Sequence, residues 1–199
     1  MPHFVPHPAE LAALRDTLRA RLQRDVARIA ILNPNCSDLL PLRRWPLQSF
    51  AELGKRLANE DPGLALVITG SAAERSQAEA LAAAIGSDVA VSLAGQTSLR
   101  ELLTLYCASD VLISNDSGPV HFAALTPIRV VALFGPETPA LYGPLGERAV
   151  SVSLGLACSP CVNLLNHRIS PCTDNLCMKR MSVDQVLEAT RALLGAPGA

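Results

Sequence analysis

Five short apolar runs, each closed by a polar or glycine-containing turn, constrain this chain more than any other feature. They are Ile29–Leu32, Leu64–Thr69, Val89–Leu93, Asp110–Ile113 and Val130–Phe134. Between them lie stretches of helical periodicity: Leu47–Asn59, with Phe50, Leu53 and Leu57 on one face, then Glu74–Ile85 and Ser98–Ala108. Ala149–Val152 reads as a sixth strand and Val183–Leu194, capped by Ser182, as a last helix. Strands too apolar for a one-sided sheet, separated by helices of about ten residues, predict right-handed βαβ units. The expected fold class is therefore α/β, a Rossmann-like three-layer parallel sheet with helices on both faces.

In such a sheet the turns at the carboxyl ends of the strands share one edge, where ligands bind. Those turns are Asn33–Ser37, Gly70–Glu74, Gly95–Thr97, Asn115–His121 and Gly135–Thr138, and together they are expected to line one cleft. The richest is Ser114-Asn115-Asp116-Ser117-Gly118-Pro119-Val120-His121, between an apolar strand and the helical Phe122–Leu125. Ser117 suits a helix N-cap, and Pro119 the first turn, where its missing N–H is not needed. The free N–H groups and the positive end of the helix dipole then suit a phosphate.

Several side chains in these turns have both a functional and a structural reading. Arg43 and Arg44 in the first loop either neutralise phosphate or are simply solvated. Asp116 either accepts sugar hydroxyls or stabilises its turn, and Glu74 either accepts ribose hydroxyls or favours its helix's positive end. His121, in the first turn of its helix, points toward the same edge. Neither a nucleophile triad nor a Walker loop is present, so the implied chemistry is positioning and electrostatics.

The 199 residues are 49% hydrophobic and 18% charged, with a formal net charge of −1. That balance fits a soluble globular domain and gives no bulk attraction for nucleic acid. No apolar run approaches the length of a transmembrane segment, so the expected location is cytoplasmic. The six cysteines are then expected to be reduced. Residues 1–27 read as a loose N-terminal arm and a linker helix, with Leu11, Leu14, Leu18 and Leu22 at helical spacing. The main domain spans residues 28–199 and carries a cysteine-rich loop at 157–180. In that loop Cys158, Cys161, Cys172 and Cys177, with His167 as a fifth candidate, allow a structural zinc. Free thiols are the favoured reading, and disulfides remain an alternative.

Asn115-Asp116-Ser117-Gly118-Pro119-Val120-His121, with Leu133-Phe134-Gly135-Pro136 and Trp45-Pro46 preceded by a cation, resembles the ADP-heptose:lipopolysaccharide heptosyltransferases. This is glycosyltransferase family 9, whose members have the GT-B fold of two Rossmann-like domains. The resemblance runs from about Arg28 to about Leu194 and covers the C-terminal, donor-binding half. It implies inverting transfer of a sugar from an ADP-heptose-like donor to a glycan or lipid-linked acceptor, without a required cofactor. Cys36 and Ser37 resemble the hydroxyl pair near the diphosphate, and Arg43 stands where the family carries a phosphate-binding lysine. Glu74 resembles the ribose-binding acid, Thr97 falls where the family's backbone brackets the base, and Asp116, Ser117, Gly118 and His121 resemble the diphosphate-sugar turn. The general base is expected in a preceding acceptor domain, supplied separately or in a longer chain, so this half alone is expected not to complete transfer. The resemblance also allows a peripheral position at the inner face of the membrane. Arg43 in place of lysine, and Glu137-Thr138 in place of the usual Thr-Asp, leave the donor's identity open. A transferase using a UDP-sugar and a non-catalytic nucleotide-binding or scaffold module are the alternatives.

Overall fold

A computed structural model describes residues 3–36, 39–163, 166 and 169–195. Six parallel strands form one sheet: β1 (Arg28–Asn33), β2 (Leu64–Ile68), β3 (Ala90–Ser92), β4 (Val111–Asn115), β5 (Arg129–Leu133) and β6 (Ala149–Val152). Their spatial order is β3-β2-β1-β4-β5-β6, so the order reverses between β1 and β4. Both neighbours of β1 are fixed in register, Ala30 lying opposite Leu66 on one side and Val111 on the other. The crevice beyond the carboxyl ends of β1 and β4 is the place where such a sheet binds ligands.

The middles of the inner strands are apolar and buried because helices cover both faces. On one face lie α2 (Leu47–Glu60), α3 (Arg75–Ile85) and α8 (Val183–Gly195). Phe50, Leu53 and Leu57, the inner face expected for α2, are buried there with Leu81, Val186 and Leu187. Each such large side chain contributes about 1.5–3 kcal/mol by leaving water. The other face holds α1 (Pro8–Leu22), α4 (Leu99–Ala108) and the short α5 (Gly118–Ala123), with Leu18, Leu105, Tyr106 and Val120 in its core. Two one-turn helices, α6 (Pro139–Tyr142) and α7 (Leu176–Lys179), were not legible from periodicity because neither presents a repeating face.

Local signals held where the partners are sequence neighbours. Ser98 and Glu101 form the expected capping box at α4, and Ser182 accepts the Gln185 N–H at α8 (3.2 Å). The arm expected to be loose is fastened: the Phe4 N–H donates to the Leu125 carbonyl (2.8 Å). Helix α1 packs on α4 and β3, and arginines at its C-terminal end engage backbone carbonyls. Arg21 donates to Ser92 O (3.1 Å), and just beyond the helix Arg24 donates to Pro62 O (2.8 Å) and Asp88 O (3.0 Å).

Tyr106 is fully buried on α4, and its hydroxyl has no hydrogen-bond partner among the described residues. Burial pushes its ionisation far above the usual tyrosine range. Removing a buried, unpaired hydroxyl relieves a desolvation cost. Tyr106→Phe is therefore expected to leave stability unchanged or raise it by about 1 kcal/mol. A clear loss of stability in urea unfolding would mean that the hydroxyl has a partner.

Candidate functional site

Four of the five turns converge. The ends of β1 to β4 enclose a cleft of about 300 Å³, lined among others by Asn33, Cys36, Glu74, Thr97, Ser117 and Gly118. The turn wall between β2 and β3 is tight: the Gly95 N–H donates to Gly70 O (2.8 Å), and Gly95 has φ +66°. A Cβ on Gly95 would lie 2.5 Å from the Ala72 Cα, so this corner admits no side chain. The fifth turn departs from expectation. The Pro136 carbonyl accepts the N–H groups of Cys161 and Val162 (both 2.9 Å), which turns Gly135–Thr138 toward the cysteine-rich loop.

The side chains singled out in the sequence fall into two groups. Glu74, Thr97, Ser117 and Gly118 line the cleft itself. The Glu74 carboxylate accepts the Ser71 N–H (2.6 Å) in a capping box, so its structural reading is realised at the cleft wall. Ser117 occupies the N-cap position of α5 but does not cap it. Its hydroxyl instead donates to Asn115 O (3.1 Å) and lies 3.2 Å from Ser114 Oγ. The start of α5 thus has no N-cap hydrogen bond from Ser117, and Pro119 sits in the first turn as expected.

Arg43 and Asp116 form the second group. Arg43 Nη1 lies 3.6 Å from Asp116 Oδ2, and their side chains are only 15% and 5% exposed. This is longer than a charge-assisted hydrogen bond. Among the described residues, the buried Arg43 Nε and Asp116 Oδ2 have no hydrogen-bond partner. Burial raises the Asp116 pKa above the ordinary carboxylate value; Arg43 opposes that shift, and the buried Glu137 adds to it. Nearby, burial also raises the Cys36 thiol, whose Sγ donates to Leu40 O (3.5 Å). His121 is exposed on α5 and is not part of the cleft lining. Ser37 lies outside the described residues.

A framework of asparagines holds these turns, and sequence reasoning gave it no role. Asn33 Nδ2 donates to Thr69 Oγ1 (3.1 Å), and Asn35 Nδ2 to Thr69 O (3.2 Å), tying β1 to β2. Asn115 is fully buried: its Oδ1 accepts the Trp45 N–H (3.0 Å), and its Nδ2 donates to Pro34 O (2.7 Å). Trp45 is anchored in turn by Nε1–H donation to Met181 O (2.9 Å) and an edge-on contact with Phe50. The visible signal was asparagine at successive strand ends, where a buried amide must find both a donor and an acceptor.

In the cysteine-rich loop all four cysteines are free thiols, as are Cys36 and Cys107. Ser170 Oγ donates to Cys161 Sγ (3.2 Å), the Asn175 N–H donates to Cys172 Sγ (3.2 Å), and Cys158 is exposed. Among the described residues no group of three or more candidate ligands could hold a metal ion, and His167 lies outside them. No helix among the described residues is long and apolar enough to cross a membrane.

A 3-2-1-4-5-6 parallel sheet with its cleft at the crossover is one Rossmann-like half of a GT-B glycosyltransferase. The profile of glycosyltransferase family 9 (heptosyltransferase) matches residues 6–168, and the chain belongs to that family. Among its relatives is lipopolysaccharide heptosyltransferase 2 of Salmonella typhimurium. The two are 37% identical over 117 residues, which is 57% of this chain and 33% of that protein. Lipooligosaccharide heptosyltransferase 2 of Campylobacter jejuni is 28% identical over 86% of this chain and 52% of its own length. The structure of the Escherichia coli ADP-heptose lipopolysaccharide heptosyltransferase II superposes with a TM-score of 0.75 at 25% identity. That match covers 97% of this chain and 53% of the other. The chain thus spans between about a third and about half the length of the relatives it matches.

Proposed function

We propose that this domain holds the nucleotide-diphosphate sugar, of the ADP-heptose kind, for inverting transfer to a lipopolysaccharide-type or other glycan acceptor. The observation that carries the reading is the Arg43–Asp116 pair. Its charges match across 3.6 Å, yet among the described residues neither Arg43 Nε nor Asp116 Oδ2 has a hydrogen-bond partner of normal length. Buried polar atoms in that state favour a ligand that supplies the missing partners. A phosphate oxygen next to a sugar hydroxyl supplies both, the oxygen to Arg43 and the hydroxyl to Asp116. Within the cleft, Glu74 would take the ribose hydroxyls, Thr97 would border the base, and Ser117 and Gly118 would flank the diphosphate, with His121 outside that lining.

In the reaction, an acceptor hydroxyl attacks the anomeric carbon while the bond from that carbon to the diphosphate oxygen breaks. The electron pair leaves with the diphosphate. Arg43 and the uncapped N–H groups at the start of α5 stabilise the charge that develops there. The base that takes the acceptor's proton is assigned to no residue of this chain; a companion acceptor domain facing the cleft would provide it. With a lipid-linked acceptor, the work would be done in the cytoplasm at the inner face of the membrane.

Calorimetric titration with ADP and UDP tests the reading, with Gly118→Ala as the control on geometry. A Cβ at Gly118 meets nothing closer than Phe122 Cε2 at 3.7 Å, so the substitution is tolerated by the fold. It would instead project into the space a diphosphate needs. The expected result is selective ADP binding, weakened at least about tenfold in Gly118→Ala with unchanged unfolding. A preference for UDP would redirect the reading to a UDP-sugar transferase. Binding of neither nucleotide would overturn it in favour of a non-catalytic module.

A further inference from the structure

We infer that Asn115 is a positioning residue: its carboxamide is a clasp that closes the neck of the β1–α2 connection and so presents Arg43 to the ligand. Pro34 and Trp45 stand at the entry and exit of that connection, and Arg43 lies between them. The Asn115 side chain joins both ends, donating from Nδ2 to Pro34 O (2.7 Å) and accepting at Oδ1 from the Trp45 N–H (3.0 Å). A side-chain amide offers a donor and an acceptor in one small planar group; a carboxylate offers only acceptors and leucine offers neither. Both bonds are buried, so water cannot replace them.

Other contacts reinforce the closure. Arg44 Nη2 donates to Cys36 O (3.3 Å) across the same neck, and the Arg43 N–H donates to Leu40 O (3.2 Å) within it. The exit is immobilised by Trp45, whose indole N–H reaches Met181 O. Asn115 also immediately precedes Asp116, whose own N–H is held by Leu133 O (3.0 Å). The residue that holds the neck around Arg43 is thus the chain neighbour of Asp116, the other member of the ion pair. A connection closed at its neck loses little freedom when Arg43 meets a phosphate, which is the benefit of preorganisation.

The inference rests on the donor-site reading for its effect on ligand, but the clasp itself is tested separately. Trypsin reads it directly, because Arg43 and Arg44 lie inside the closed segment. In Asn115→Ala, cleavage after Arg43 or Arg44 should accelerate about tenfold relative to cleavage after the arginines of α1. ADP affinity should fall about tenfold while adenosine, which carries no phosphate, binds as before. Asn115→Leu keeps the volume and loses both hydrogen bonds, so it should show a shift of similar size in the same direction.

Unchanged relative cleavage in either folded variant would overturn the clasp. Cleavage rising equally at all arginines, or global unfolding of both variants, would make Asn115 a general stabiliser and overturn it too. Equal loss of ADP and adenosine would refute action through Arg43. Failure of the donor-site reading shows differently: Arg43→Ala would leave ADP affinity unchanged while the proteolysis result still stood.

Discussion

Arg43→Ala is expected to lower stability at pH 7 by about 2–4 kcal/mol, because it leaves a buried carboxylate without its cation. It should also weaken ADP binding about a hundredfold, as loss of a charge-assisted phosphate contact would. The stability loss depends on pH, and the sign follows from Asp116. Burial has already raised its pKa in the folded chain, and Arg43 is the main group opposing that rise. Without Arg43 the folded-state pKa climbs further above the unfolded value. The folded chain then holds the proton more tightly than the unfolded chain. Stability is full below the unfolded aspartate value and is lost as pH rises through the folded one. The variant should therefore come closest to the parent in acid and fall furthest behind it at neutral pH. Adding Asp116→Asn should flatten this dependence and recover most of the stability without recovering binding. Urea unfolding at several pH values, with calorimetry for ADP, measures both effects. A flat, parent-like stability profile in Arg43→Ala would mean that the pair is not coupled in the folded protein.

The second large effect is at Trp45, the only tryptophan in the chain. It is among the largest fully enclosed side chains, packed edge-on against Phe50 with ring centroids 4.9 Å apart. Trp45→Ala should cost about 3–5 kcal/mol through lost burial and the cavity left behind. It also strands the Met181 carbonyl that accepted the indole N–H. Trp45→Phe keeps an aromatic ring and loses that hydrogen bond, so it should cost about half as much. The same residue joins the site to the core. Its backbone N–H is held by Asn115 and its ring by the α2 face, so loosening it should lower ADP affinity along with stability. In the parent protein its fluorescence should be blue-shifted and should shift red in a single transition with urea. A red-shifted native spectrum would contradict the enclosed position.

The strands and main helices were legible in the sequence because their signals are local. An apolar run buried on both faces reads as a parallel strand, and Phe50, Leu53 and Leu57 read as one helix face wherever the helix docks. Capping pairs such as Ser98 and Glu101 sit three residues apart, so the chain carries donor and acceptor together. Parallel topology then placed the carboxyl-end turns along one edge, and Glu74, Thr97, Ser117 and Gly118 do meet in one cleft.

The remaining features depend on partners that only tertiary packing supplies. Ser117 has the residue type and position of an N-cap, but the folded turn offers its hydroxyl the Asn115 carbonyl instead. The Gly135–Thr138 turn has the composition of a ligand loop, yet the cysteine-rich loop claims its backbone. Arg43 reads in sequence as a solvated or phosphate-binding cation, and only the assembled sheet sets it against Asp116. Asn115 finds its partners 70 and 81 residues away, and Trp45 finds the Met181 carbonyl 136 residues away. Periodicity and composition fixed the layers of this protein because burial is non-directional and repeats along the chain. Hydrogen bonds between distant residues are directional and singular, so the packed structure alone decided which polar groups meet at the site.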